Sequence, residues 1–160
     1  MISRSDAKEA SSQVAFEEKD PLIGTSFWIE VQGIVLASFA ECSGISAETE
    51  VQEYSEGGRN DVIYKLPVRT RYSNISLRRG WTTSNELWTW YQEVIDGVIR
   101  PRDCSIVMCS NDGQNPGDEL ARLNISQAFP VRWQGPDLRV ESNSAAIETL
   151  ELAHLGFRPG

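Results

Sequence analysis

The stretch from Ile45 to Tyr72 limits what this chain can become more than any other segment. Ile45, Ala47, Thr49 and Val51 alternate with Ser46, Glu48, Glu50 and Gln52, giving one apolar face and one wet, acidic face. Glu56-Gly57-Gly58-Arg59-Asn60-Asp61 then reads as a turn, since glycine accepts positive φ freely and Asn and Asp do so more weakly. Val62 to Tyr72 returns as a second extended arm, with Val62, Tyr64, Leu66 and Val68 on one face and Lys65, Arg69 and Arg71 on the other. Pro67 cannot donate to a ladder, so this arm is an edge or is interrupted there. The polar faces of the two arms carry opposite charge, as cross-strand pairing favours. The pattern predicts a long, protruding hairpin over 45–72 with its tip at Gly57-Gly58. One chain offers no obvious cover for its apolar face. Extended arms with open edges invite pairing with another chain, and identical copies closing into a ring would seal them.

Around this feature the chain alternates short strands with turn signals. Phe27, Ile29 and Val31 mark one strand, Ile34 to Glu41 a second, and Ser43-Gly44 a turn. Ile75, Leu77 and Arg79 lead to Gly80-Trp81. Thr83-Ser84-Asn85-Glu86 fits a capping box, and Leu87, Trp90, Tyr91 and Val94 follow at helical spacing before Gly97, which predicts a helix at about 84–96. Trp88 and Ile95 widen its apolar stripe, so the helix should plug the end of a sheet or barrel or else form an interface. Asp103 to Ser110 reads as a strand buried on both sides, with a turn from Asn111 to Asp118. Leu120 to Phe129, Val131 to Trp133 and Ile147 to Phe157 read as further strands, with Ser142-Asn143-Ser144 as a loop. The expected fold is mainly β: a sandwich or barrel of about seven to nine strands with one α-helix and the protruding hairpin. Residues 1–20, polar and charged, read as a flexible N-terminal arm ahead of a single domain over 21–160.

Charge and composition exclude several functions. With 15 basic against 23 acidic residues the net charge is −8, opposite to what counterion release from a nucleic acid requires. Arg69, Arg71, Arg78 and Arg79 are the only candidates for a local basic strip. No apolar run approaches the roughly 20 residues that span a bilayer, and the start lacks the apolar stretch of a secretion signal. A protein made and assembled in a cytosol, without a membrane anchor, is the expectation. Cys42, Cys104 and Cys109 are an odd number and read as free, buried thiols rather than a disulfide framework. Cys104 and Cys109 fall on opposite strand faces, and the single histidine, His154, lacks a partner at metal-ligand spacing. No phosphate-binding loop, nucleophile elbow or calcium loop is present; Asn111-Asp112-Gly113 lacks the required order of ligands. Glu48 and Glu50 form a carboxylate pair better explained as a solvated strand face than as an acid–base couple. No enzyme, cofactor or metal is expected. A binding module remains as a rival, a small-molecule- or carbohydrate-binding β-sandwich using Trp81, Trp88 and Trp133.

A series of short segments carries a family likeness. In order they are Asp20-Pro21, Phe27-Trp28-Ile29-Glu30-Val31-x-Gly33, Phe39-x-Glu41-Cys42-Ser43-Gly44-Ile45 and Glu48-x-Glu50-Val51-x-Glu53-Tyr54-x-Glu56-Gly57-Gly58. Lys65-Leu66-Pro67, Tyr72-Ser73-Asn74-Ile75-Ser76-Leu77-Arg78-Arg79-Gly80, Glu86-Leu87-Trp88-x-Trp90 and Ile147-Glu148-Thr149-Leu150-Glu151-Leu152-Ala153-His154 complete it. The series resembles the tail-tube proteins of contractile phages and extracellular contractile injection systems, over about residues 20–157.

The resemblance implies a barrel-like sandwich with one helix, shared with the haemolysin-coregulated protein of type VI secretion. It implies hexameric rings stacked into a hollow tube inside a contractile sheath, with baseplate and spike proteins as further partners and cargo in the lumen. A tube-initiator or adaptor ring at the baseplate is the alternative. It further implies that Ser46, Glu48, Glu50, Lys65, Arg69 and Arg71 face the bore, and that the tip, Glu56, Gly57, Gly58, Arg59, Asn60 and Asp61, touches the next ring. A second lumen hairpin would come from the strands of 118–157. Relatives usually carry Gly where this chain has Val68.

Overall fold

The computed structural model describes residues 25–55, 57–58, 62–111, 116–138 and 146–160. The expected arm over residues 1–20 lies outside them, as do tip residues Glu56, Arg59, Asn60 and Asp61 and the Ser142-Asn143-Ser144 loop. The elements, in chain order, are β1 (Thr25–Val31), β2 (Ile34–Phe39), β3 (Glu41–Ser43), β4 (Ala47–Ser55), β5 (Ile63–Tyr72), β6 (Ile75–Gly80), α1 (Glu86–Ile95), β7 (Arg102–Asn111), β8 (Pro116–Gln134), β9 (Ile147–Ala153) and β10 (Gly156–Pro159). The fold is mainly β with one helix among the described residues, as the strand and turn pattern predicts.

One sheet runs in the order β2-β1-β7-β8-β9-β6-β3, with β10 beside β8. Its two ends are neighbours in the chain: only Ala40 separates β2 from β3, and its N–H donates to the Arg78 carbonyl at 2.9 Å. The single run 34–43 therefore pairs with β1 at one end and β6 at the other, and closes the sheet into a barrel. The closure explains why the expected second strand is two. Ala40 is where it passes from one partner to the other.

Period-two alternation fills the interior. Ile29 and Val31 of β1, Ile75 and Leu77 of β6, and Leu150 and Leu152 of β9 form one buried cluster. Leu87 and Trp90 of α1 join it from one side of the helix, so the helix packs on the barrel as its spacing predicts. In β7, Cys104 and Ile106 reach this cluster while Val107 and Cys109 are also buried, so the strand is covered on both faces.

The two helix ends differ in how they match expectation. At the C-terminal end the Val98 N–H reaches the Glu93 carbonyl at 2.8 Å and the Gly97 N–H reaches Val94 at 3.1 Å, a Schellman arrangement with Gly97 left-handed at φ 79°. The capping box does not form. The N-cap is Asn85, without a side-chain capping bond, and Glu86 is the first helical residue instead of the third, so its carboxylate cannot reach back to Thr83. A hydrogen bond from Ser84 instead holds the exposed Glu86 carboxyl below its ordinary pKa. The last expected strand also divides. The chain turns at His154 and Leu155, and β10 then pairs with β8 rather than continuing β9. Pro130 does not end β8; it sits beside a bulge opposite β9.

Gly44 is the residue on which the hairpin's root depends. Its φ is +82°, and a Cβ there would lie 2.2 Å from the Asn74 carbonyl oxygen, where the chain leaves the hairpin. Gly44→Ala combines left-handed strain with a backbone clash that no rotamer relieves. It should lower stability by about 2–4 kcal/mol, read as a reduced urea midpoint at unchanged slope.

Candidate functional site

The hairpin of β4 and β5 stands apart from the barrel. The two strands form their own two-stranded sheet, and every residue of both is exposed. Val51 is 49% exposed, Leu66 53% and Ile63 60%, with Tyr54 and Val68 in the same range. An isolated two-stranded ribbon is marginal in water, so this one needs covering. Its root is fixed. Ser46 Oγ donates to Ser73 Oγ at 2.8 Å, and the Ser73 N–H reaches the Ser46 carbonyl at 3.2 Å. His154 Nε2 donates to the Ser73 carbonyl at 2.9 Å, and Tyr72 lies against Phe157 with ring centroids 5.5 Å apart.

The register decides which side chains share a face. Glu48 stands opposite Arg71 and Glu50 opposite Arg69, and then the pairing jumps to Val51 opposite Pro67. Val68 is the extra residue of a β-bulge, placed where Pro67 lacks a donor for the ladder. Beyond it the pairs are Gln52 with Leu66, Glu53 with Lys65 and Tyr54 with Tyr64. Paired residues lie on one face, so the bulge reverses the alternation of β5 relative to a straight reading. Two expectations fall with it. Lys65 does not share the face of Arg69 and Arg71; it lies opposite Glu53 on the other side. Tyr64 and Leu66 do not share the face of Thr49 and Val51; they continue the side of Glu48 and Glu50. Ser46, Glu48, Glu50, Arg69 and Arg71 remain together, while Gly57 and Gly58 form an exposed turn at the tip.

The charges of the ribbon are matched. Arg69 Nε donates to Glu50 Oε2 at 2.8 Å, and Arg71 lies 3.8 Å from the same oxygen. Glu48, Glu50 and Glu53 all belong to β4, whereas Lys65, Arg69 and Arg71 all belong to β5. The four candidate arginines form no basic strip among the described residues. Arg69 and Arg71 serve Glu50, Arg78 pairs with Glu41 at 2.9 Å, and Arg79 is buried against Glu148.

The Arg79–Glu148 pair is the polar centre of the molecule, and the expected site did not include it. The two residues are 7% and 3% exposed and directly opposed between β6 and β9. Arg79 Nε donates to Glu148 Oε1, and Arg79 also reaches Ser84 Oγ at 3.3 Å. Trp133 Nε1 donates to Glu148 Oε2 at 3.2 Å, and Trp133 meets Trp88 edge-on at a centroid distance of 4.8 Å. The pair thus ties α1 and the loop before it to the barrel. The signal was in the strand parity. Arg79 continues the buried series Ile75, Leu77, and Glu148 begins the series Leu150, Leu152.

Other candidates bring no chemistry together. Trp88 and Trp133 spend an edge and a face on each other rather than forming an open platform with the exposed Trp81. No group of three metal-ligating side chains occurs among the described residues, and no described helix is long and apolar enough to cross a membrane. All three cysteines are free. Burial pushes the Cys42 thiol up to about 11, and burial, with Asp103 next to it, pushes Cys104 up to about 12. Folding therefore favours the protonated thiols: this stability is fully present below the ordinary cysteine range and is lost as pH climbs through 11 to 12. Native protein at pH 7 should leave Cys104 and Cys109 unlabelled by iodoacetamide, while urea should open all three to reaction; mass spectrometry reads the count.

Comparison with known proteins agrees with this architecture. The family model of the T4-like virus tail tube protein gp19 matches residues 24–158. A chain of an extracellular contractile injection system, in the PVC sheath-tube complex in its extended state, is 25% identical with a TM-score of 0.74, covering 94% of this chain and 97% of that one. A chain of the 6-fold symmetrised anti-feeding prophage baseplate is 26% identical with a TM-score of 0.69, covering 85% and 91%. A chain of the cap that terminates the anti-feeding prophage tube shares the fold at 21% identity and a TM-score of 0.70, covering 96% and 98%. No curated protein matches the chain. A barrel with a projecting, uncovered hairpin and a family match over nearly its whole length lead to one assignment: the chain belongs to the T4-like virus tail tube protein gp19 family.

Proposed function

We propose that this chain is an inner-tube subunit whose work is mechanical rather than catalytic. Copies close into hexameric rings, and the rings stack into a hollow conduit inside a contractile sheath, seated on baseplate and spike proteins. The observation that carries this reading is the hairpin: its strands are exposed along their whole length and project from a closed barrel, so a single copy leaves them without cover. Membership of the tail tube family and the likeness to a chain of a sheath-tube complex support it. In this reading Ser46, Glu48, Glu50, Arg69 and Arg71 face the bore, which holds cargo, and Gly57-Gly58 reaches toward the next ring. Lys65 lies on the opposite face. Residues 21–160 form the tube domain and 1–20 a separate arm. Synthesis and assembly take place in the cytosol, and the finished particle is released or acts at an envelope.

Electron microscopy of the purified protein, and of the protein co-expressed with sheath and baseplate components, should show six-fold rings or tubes. A strictly monomeric species under all of these conditions would overturn the reading. The likeness to a baseplate chain favours a second one, an initiating ring at the baseplate that does not polymerise alone. Labelling the subunit in intact particles separates the two, since a main-tube subunit decorates the full length and an initiator only one end.

A further inference from the structure

The ribbon joins the barrel through a short gap in the ladder. Ser43 faces Ser76 at the end of the β3–β6 pair and Ala47 faces Tyr72 at the start of β4–β5, so residues 44–46 and 73–75 carry the chain between the two. Here Gly44 bends the chain at φ +82°, and the Ser73 N–H reaches the Ser46 carbonyl at 3.2 Å, the long end of the usual range. Neither 44–46 nor 73–74 is strand. Such a junction leaves the angle of the ribbon to be set from outside it. The turn at 154–157 reaches it at three points. His154 Nε2 donates to the Ser73 carbonyl at 2.9 Å, the Phe157 ring stands edge-on to Tyr72 at 5.5 Å, and Gly156 passes so close to Tyr72 that a Cβ would lie 3.2 Å from its ring. The turn is itself held. The Leu155 N–H donates to the Ser126 carbonyl at 3.0 Å, β10 pairs with β8, and Phe157 packs against the buried cluster.

His154 is a poor choice for packing alone. A carbonyl only accepts, so the imidazole proton is on Nε2, and Nδ1 is left as a buried lone pair without a partner among the described residues. A buried polar atom without a partner costs stability, and a phenylalanine would avoid that cost. What the histidine supplies is the Nε2 donor. We propose that His154 is the positioning residue of the hairpin: through the Ser73 carbonyl it fixes the angle at which the ribbon leaves the barrel, so that the ribbon is already aimed when it meets the next copy. The bond serves the assembling part of the chain more than it serves the fold. Ordering a projecting element beforehand removes that cost from association. The effect on assembly rests on the ring reading, whereas the fixed root is a property of the single chain.

The test compares His154→Phe, which keeps a ring and loses the donor, with His154→Gln, which loses the ring and keeps an N–H donor. His154→Leu, smaller and also without a donor, is measured beside them, so that crowding by the larger ring is separated from loss of the bond. In dilute, unassembled protein, hydrogen–deuterium exchange over residues 70–76 should be about fivefold faster in the two variants without a donor, with β7 unchanged. The concentration at which rings form should rise about fivefold or more in both, at a urea midpoint within about 0.3 M of wild type. His154→Gln should bring both quantities back to within about twofold of wild type. Exchange at the wild-type rate without the donor would overturn the proposal. Equal losses with and without the donor, assembly at the wild-type concentration despite faster exchange, or a loss of assembly that only follows a loss of barrel stability would each overturn it as well. Wild type that forms no rings would sink the ring reading alone, because the exchange measurement still decides whether His154 holds the root.

Discussion

Glu148→Ala is expected to cost the fold about 3–5 kcal/mol, because it leaves the buried Arg79 guanidinium with only the half-exposed Glu86 carboxylate, 3.9 Å away, in place of its buried partner. Trp133 loses the acceptor for its indole N–H in the same step, and the contact that holds the loop before α1 loses its anchor. Arg79→Ala should cost a similar amount from the other side. A double replacement by apolar residues of similar size, Arg79→Met with Glu148→Leu, should recover most of the loss, since it removes the desolvation cost along with the attraction. Urea unfolding of the four proteins, followed by circular dichroism, gives the comparison. If Glu148→Ala unfolds within about 1 kcal/mol of wild type, the pair is not the buried anchor its geometry indicates.

The second large effect separates folding from assembly. Val51 and Ile63 lie on the face turned away from Glu48 and Glu50 and are half-exposed or more in the single chain. Val51→Asp with Ile63→Asp should therefore change the stability of an isolated copy by less than about 1 kcal/mol. In the proposed ring the same face would be covered, and each buried aliphatic side chain there would contribute about 1.5–3 kcal/mol. Repeated around a ring, that loss should bring assembly below detection at micromolar protein. Thermal unfolding and light scattering on the same sample measure both halves. A variant that loses its fold, or one that still assembles like wild type, contradicts the prediction.

Much of this was legible in the residues because period-two alternation and glycine turns are local signals. The hairpin, the barrel strands and the stop at Gly97 all follow from neighbours within a few positions. What failed depends on distant partners or on one-residue shifts. The facing of Lys65, Tyr64 and Leu66 turns on whether the extra residue beside Pro67 is absorbed as a bulge, and the sequence of β5 alone does not fix which residue β4 skips. The helix cap failed because the helix begins two residues later than the four-residue pattern places it, with Asn85 as N-cap and Glu86 as the first helical residue. Arg79 and Glu148 were readable by parity, since Arg79 continues one buried apolar series and Glu148 begins another, but its charge placed Arg79 among the candidates for a basic strip. The break between β9 and β10 serves β8, a strand far away in sequence.

The strand that belongs to both ends of the barrel sheet has a consequence for newly made copies waiting at low concentration. The run 34–43 joins the two ends of the barrel sheet, whereas both strands of the ribbon keep a whole outer edge open among the described residues, and the short edge strand β10 is four residues and contains Pro159. Fibre-like growth starts where backbone donors lie open, and on the ribbon that place is guarded by Pro67 and by charged side chains on both strands. The edges that assembly needs are thus the ones the side chains protect against chance encounters.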